Sequence, residues 1–190
     1  MNALYAPDAY SGFMSAPDAV ARFEQMAAEA GLFVTGHPMS NGGDGLIDVL
    51  RAHGPVELYG FEITGPEGDV VFATAARRAG VWWIEAAEAI GQRFMRGSVM
   101  DASSYGLGEL MKRVAHTAPG PIMVGLGGAA TLDGGLGMLQ ALGFSLRDQE
   151  HRLISTPATA RDLARVSRID GNTQVPGAII RVLCDVTTPL

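Results

Sequence analysis

Short apolar runs alternate along this chain with stretches in which apolar residues recur every three or four positions. The first pattern suits strands buried in a sheet, and the second suits the inner stripe of a helix. Residues 2–6 predict a first strand, ended by Pro7 and Asp8. A helix follows over about 17–30, with Ser15 as N-cap, Pro17 in the first turn and Gly31 as the stop. Val20, Phe23, Met26 and Ala27 keep helical spacing, so this face is expected in the core. Residues 32–36 predict the next strand, and Leu46, Ile47 and Leu50 the helix after it. Over 56–84 the pattern becomes alternation broken by turn residues, which predicts a β-hairpin excursion, with Phe72, Trp82 and Trp83 as packing residues.

Beyond the excursion the helical spacing returns over 85–90 and again from Ser103 to about His116. Residues 121–124 predict a buried strand, and Leu136, Leu139 and Leu142 a helix. A short strand is expected at 144–146, a helix near 159–166 and a loop around 170–172. Residues 178–184 form a near-continuous apolar run and are expected as a central strand, with Asp185 at its C-terminal end. Strands alternating with helices indicate an α/β fold: a doubly wound, mostly parallel, Rossmann-like sheet with a small β-rich insertion or second subdomain. The expected division is a main domain from 1–55 and 85–190, with 56–84 belonging to the smaller one.

Two glycine-rich loops follow predicted strands. Pro38-Met-Ser-Asn-Gly-Gly-Asp-Gly45 follows the second strand, and residues 125–138 form a strand–loop–helix passage in which only Asp133 is charged. Glycine backbones let amide N–H groups approach an oxyanion that bulkier residues would hold off, although such a turn can equally be a tight corner. Asp8, Asp44, Asp133 and Asp185 all fall just past predicted strands or inside these loops, and in an open α/β sheet such positions converge on one crevice. Carboxylates beside anion-binding loops suit Mg²⁺ held with a nucleotide's phosphates, or the orientation of a hydroxyl for phosphoryl transfer. Each aspartate has the alternative role of capping a turn or helix.

Composition narrows the class. Among 190 residues, 47% are hydrophobic and 18% charged, enough for one sizeable core, and no stretch approaches the length of a membrane span. The formal charge of −6 gives no general attraction to nucleic acid or anionic membranes, and a cytoplasmic location is expected. Cys184 is the sole cysteine and is expected as strand filler; the histidines at 37, 53, 116 and 151 show no metal-ligand spacing. Lys112 is the only lysine, so a phosphate-binding lysine has almost no candidate.

Taken together, these motifs resemble the bacterial type 1 glycerate kinases. The likeness runs through Ala-Pro-Asp8-Ala-Tyr-Ser-Gly-Phe-Met-Ser, the 38–45 loop, Ile84-Glu-Ala-Ala-Glu-Ala-Ile-Gly91, Ser104-Tyr-Gly-Leu-Gly-Glu-Leu110, the 125–143 segment and Cys184-Asp-Val-Thr-Thr-Pro-Leu190. The resemblance implies ATP- and Mg²⁺-dependent phosphorylation of D-glycerate. It implies Asp8, Asp133 and Asp185 as catalytic residues, with Mg²⁺ at Asp133 and Asp185. Substrate and phosphate would lie on Ser11, Gly42, Gly43, Asp44, Gly127, Gly128, Thr131, Gly134 and Gly135. Several family polar groups are replaced. A lysine becomes Ser11, a glutamate becomes Asp44 and a threonine Leu46, a serine becomes Ala129, and two asparagines become Leu132 and Thr188. The likeness covers about half a family length, which leads to the expectation of an incomplete cleft, with a homodimer or a missing C-terminal segment completing it. The alternative is a degenerate relative that binds an anion or a partner without turnover.

Overall fold

The computed structural model describes residues 2–10, 12–175 and 178–184. Its centre is a five-stranded sheet in the order β3 (Glu57–Thr64), β4 (Val70–Arg78), β5 (Val81–Glu85), β6 (Ile122–Gly125) and β9 (Ile180–Leu183). The α/β class is as expected, but the sheet is mixed: β3–β4 and β4–β5 pair antiparallel, β5–β6 and β6–β9 parallel. The cause is local. β4 and β5 are joined by Ala79 and Gly80 alone, both at positive φ (50° and 79°), a two-residue turn that permits only antiparallel pairing. The strands over 57–85 are therefore hydrogen-bonded continuously with the central sheet.

Alternation along β5 and β6 decides what each face meets. Trp82, Ile84, Ile122 and Val124 are buried with Leu107, Leu110, Met111 and Val114 of α4 (Tyr105–Thr117), the main core of the molecule. The opposite face carries Glu85, whose side chain reaches α2 (Leu46–Ala52), and β5 runs directly into α3 (Ala86–Ile90). Phe72 is 65% exposed rather than packed, its ring lying where Gly60, across on β3, has no side chain.

Two further strand pairs stand apart from this sheet. β1 (Asn2–Tyr5) and β2 (Phe33–Gly36) form a parallel pair packed against α1 (Ala16–Glu29), and Ser15 caps α1 as expected. The predicted core stripe of α1 is only half buried: Val20 and Ala27 are inside, whereas Phe23 and Met26 are exposed. At 100° per residue Met26 lies about 120° round the helix from Val20, past the edge of the stripe that faces β2. β7 (Ser145–Arg147) pairs antiparallel with β8 (Arg168–Asp170), a strand the sequence pattern did not indicate because it is three residues long and polar at both ends. The helix expected near 159–166 is a 3-10 turn over Ala160–Arg165 behind a Thr159–Asp162 capping box. The run expected as a central strand is β9, which among the described residues is the sheet's edge, with Ile180 and Val182 exposed. Cys184, just past it, is exposed rather than buried filler.

Candidate functional site

The parallel strands set the geometry of the site. Glu85, Gly125 and Leu183 end β5, β6 and β9 in one register row, so the segments that follow them leave the same edge of the sheet. The second glycine loop folds onto this row: Leu126 N–H bonds to Leu183 O at 3.1 Å and Gly127 N–H to Gly42 O at 3.1 Å. A methyl at Gly125 would stand 2.3 Å from Gly42 O, one at Gly127 2.3 Å from the Gly43 Cα, and one at Gly42 2.6 Å from Leu183 Cβ. These glycines exist in the first instance because two backbones pass at touching distance.

Where the loops meet, a cleft of about 580 Å³ opens. It is lined from the N-terminal segment by Asp8, Tyr10, Phe13 and Met14, from the start of α1 by Ser15 and Asp18, and from the loops by Asn41, Gly43, Asp44, Gly45, Gly127 and Gly128. The structure thus gathers Asp8, Asp44, Gly43, Gly127 and Gly128 of the sequence-derived candidates around one space. Gly42, between the lining residues Asn41 and Gly43, is buried. Ser11 and Asp185 lie outside the described residues.

Thr131, Asp133, Gly134 and Gly135 belong to a different place. The 125–138 passage turns away from the cleft after Gly128, and Asp133 ends 1% exposed between the starts of α4 and α5 (Leu136–Ala141). Its Oδ2 accepts from Ser104 N (2.9 Å), Ser104 Oγ (2.7 Å) and Gly137 N (3.0 Å), and its Oδ1 accepts from Gly135 N (3.2 Å). A carboxylate held by four donors at two helix starts is stabilised where it stands and has little acceptor capacity left for a metal ion. Gly134 and Gly135, at φ 62° and 80°, form the turn that delivers it there.

Most amides of the glycine loops are also engaged. Gly42 N bonds to Ser40 Oγ, Gly43 N to Asn41 Oδ1 at 2.9 Å, and Gly45 N to Glu85 Oε2 at 3.2 Å. The amides of Asp44 and Gly128, both in residues that line the cleft, meet no acceptor among the described residues. The cleft's charges are all negative: Asp8, Asp18 and Asp44 line it, and no arginine or lysine among the described residues does.

Glu85 was not a sequence-derived candidate. It is 5% exposed and accepts from Ile47 N at 2.5 Å as well as from Gly45 N. Burial pushes its carboxyl up to about 7, the two amide N–H groups pull it back, and the charges of Glu88 and Asp44 add to the rise. The available signal was a carboxylate at the end of an otherwise apolar strand, Val-Trp-Trp-Ile-Glu85. Glu85 also lines a second cavity of about 340 Å³, which shares Asp44 and Gly45 with the first and contains Glu88, Arg51 and Arg93.

With known proteins the chain compares as follows. Residues 3–190 match the Glycerate kinase family. The chain is 31% identical over 201 aligned positions to glycerate 2-kinase of Escherichia coli (strain K12), covering all of this chain and 52% of that protein. It is 34% identical over 161 positions to glycerate kinase of Haemophilus influenzae, covering 80% of this chain and 42% of that one. A crystal structure from Salmonella typhimurium LT2, provisionally described as glycerate kinase 2, superposes with a TM-score of 0.79 at 30% identity, covering all of this chain and 53% of that chain. The chain spans about half the length of the curated relatives it matches.

Proposed function

Because this chain belongs to the glycerate kinase family, we propose that its cleft binds ATP with Mg²⁺ and forms one wall of a site for phosphorylating D-glycerate. The observation that carries the reading is the meeting of residues 8–10 and 12–15, the 41–45 loop and Gly127 with Gly128 on one cleft at the C-terminal edge of the parallel strands. Polyphosphates bind at this place in α/β sheets. The amides of Asp44 and Gly128 are positioned as donors to phosphate oxygens, and the Gly43 and Asn41 turn supplies a third donor if its internal bond is exchanged for the ligand.

The donor set fits Mg²⁺ as a companion of the nucleotide rather than as a resident ion. Among the described residues no group of three ligating side chains stands close enough to hold a metal alone. Asp8 is exposed at the cleft and is the carboxylate we assign to Mg²⁺; the remaining ligands would be phosphate oxygens and water. When bound, the ion supplies positive charge that a wall of three aspartates lacks. In the transfer, the glycerate hydroxyl oxygen bonds to the γ-phosphorus as the bond to ADP breaks, and the hydroxyl proton passes to a carboxylate, for which Asp44 is the candidate.

A second reading, binding without turnover, is favoured by one specific feature: the described lining carries no cationic side chain to meet the equatorial phosphoryl oxygens. Fixed charge at those oxygens is commonly worth a factor of about a thousand in rate. Calorimetry and a coupled ADP-release assay separate the readings. MgATP should bind with a dissociation constant on the order of a millimolar or tighter, and ATP with a chelator, or inorganic phosphate, at least about tenfold more weakly. ADP release dependent on D-glycerate supports the kinase; binding with no release supports the second reading; no binding of MgATP removes both.

A further inference from the structure

We infer that Glu85 is a positioning residue of the cleft, its buried carboxyl group fixing Gly45 and the first turn of α2 and, through them, the Asp44 wall. The inference rests on the reading of the cleft as a nucleotide-phosphate site, and it concerns a residue outside the cleft's lining.

Three observations converge on it. Glu85 ends β5 opposite Gly125, so it is anchored in the rigid centre of the sheet, whereas its acceptors serve amides 40 and 38 residues earlier in the chain. Gly45 adopts φ 89°, a left-handed conformation, and lies next to Asp44, which lines the cleft; a shift of Gly45 moves Asp44 through the peptide they share. Gly45, the N-cap of α2, has no side chain to accept from the first turn, and Glu85 takes that role from the end of β5. The shared residues Asp44 and Gly45 separate the two cavities, so the tie runs inside the partition between them.

Protonation gives the tie a second property. The charged groups around Glu85 are Asp44 from the loop, Asp48 and Arg51 from α2, and Glu88 and Arg93 beyond β5; Arg51 is paired with Asp48 and Arg93 with Glu88. Among the described residues no unpaired cation lies beside Glu85, and burial raises its carboxyl against the pull of the two amides. An ionised Glu85 adds a negative charge beside Asp44. That charge weakens an anionic ligand as pH rises.

The test combines amide exchange with binding, on the wild-type chain, Glu85→Gln and Glu85→Ala. In Glu85→Ala the amides of Gly45 and Ile47 should exchange at least about tenfold faster, with those of Ile122–Gly125 unchanged. MgATP affinity should fall about tenfold or more in Glu85→Ala and stay near wild type in Glu85→Gln at pH 6. Between pH 6 and 8 wild-type affinity should fall about fivefold relative to Glu85→Gln, a comparison that cancels the nucleotide's own titration. Unchanged exchange in Glu85→Ala, or a constant ratio between wild type and Glu85→Gln, overturns the inference. If Glu85→Ala does not fold, the pH ratio decides. If wild type binds no MgATP, the function proposed above fails while the exchange experiment still judges the positioning role.

Discussion

Asp133 and Glu85 are both nearly closed to water, yet they are held differently, and the difference is measurable. Asp133 has four donors, so Asp133→Ala should lose about 3–5 kcal/mol of stability in urea unfolding, and Asp133→Asn less, since one acceptor oxygen survives. MgATP affinity of the folded Asp133→Asn protein should stay within about twofold of wild type; binding lost at unchanged stability would return Asp133 to the site. Glu85 has an ordinary unfolded value of 4.5 and a folded one of about 7. Between them the folded protein keeps a proton that the unfolded chain has released. Stability should therefore decline as pH rises from about 4.5 to 7 and level off above, by roughly 3 kcal/mol in all. Glu85→Gln should flatten that decline. Glu67, held low by the Arg96 and Gly97 amides, and Asp101, held low by Arg161, work in the opposite sense, and their contribution is lost only in acid, below about pH 4.

Among the elements, the two glycine loops behave as one, because their backbones touch. Gly125→Ala and Gly127→Ala would each drive a methyl to 2.3 Å from loop backbone, and neither position has an unusual φ, so the whole cost is steric. Each should destabilise by about 1–3 kcal/mol and weaken MgATP more than a surface change of equal stability cost, as judged by calorimetry on the folded protein. Gly68→Ala makes the control: its φ is 87° but nothing lies within 4 Å of the added carbon, so only backbone strain of about 1 kcal/mol is expected. β9 adds hydrogen bonds to β6 while leaving Ile180 and Val182 in solvent, which makes it the least buried strand of the central sheet's parallel half.

Across the whole molecule, apolar surface is distributed unevenly. The α4 face of the sheet is closed over a continuous core, whereas α1 and β2 leave a groove of about 290 Å³ lined by Phe23, Met26, Leu32 and Phe33. Contiguous exposed patches of this kind bind apolar probes. A fluorescent apolar dye should bind there, and Phe33→Asp should reduce the signal with little change in unfolding midpoint, since Phe33 is 78% exposed. An unchanged dye signal would place the exposed surface elsewhere.

The order of strands and helices was legible along the chain because periodicity reports which faces are covered, and the capped start of α1 and the strand–loop–helix passages follow from residues within a few positions of one another. Of the four aspartates expected in one crevice, Asp8 and Asp44 line it, Asp133 does not, and Asp185 lies outside the described residues. What each group does on arrival was decided only in three dimensions. Asp133 and Asp44 look alike in sequence, each within a glycine-rich loop, but the first is enclosed by Ser104 from another helix and the second faces open space. The loop glycines read equally as anion cradle or tight corner, and the close passage of residues 42–43 against 125–127 gives them first a packing role. Glu85 stayed hidden for the same reason. Its partners lie 38 and 40 residues away, and local pattern records the spacing of side chains along one element, not the meeting of two distant backbones that fixes a buried carboxyl's acceptors and its charge.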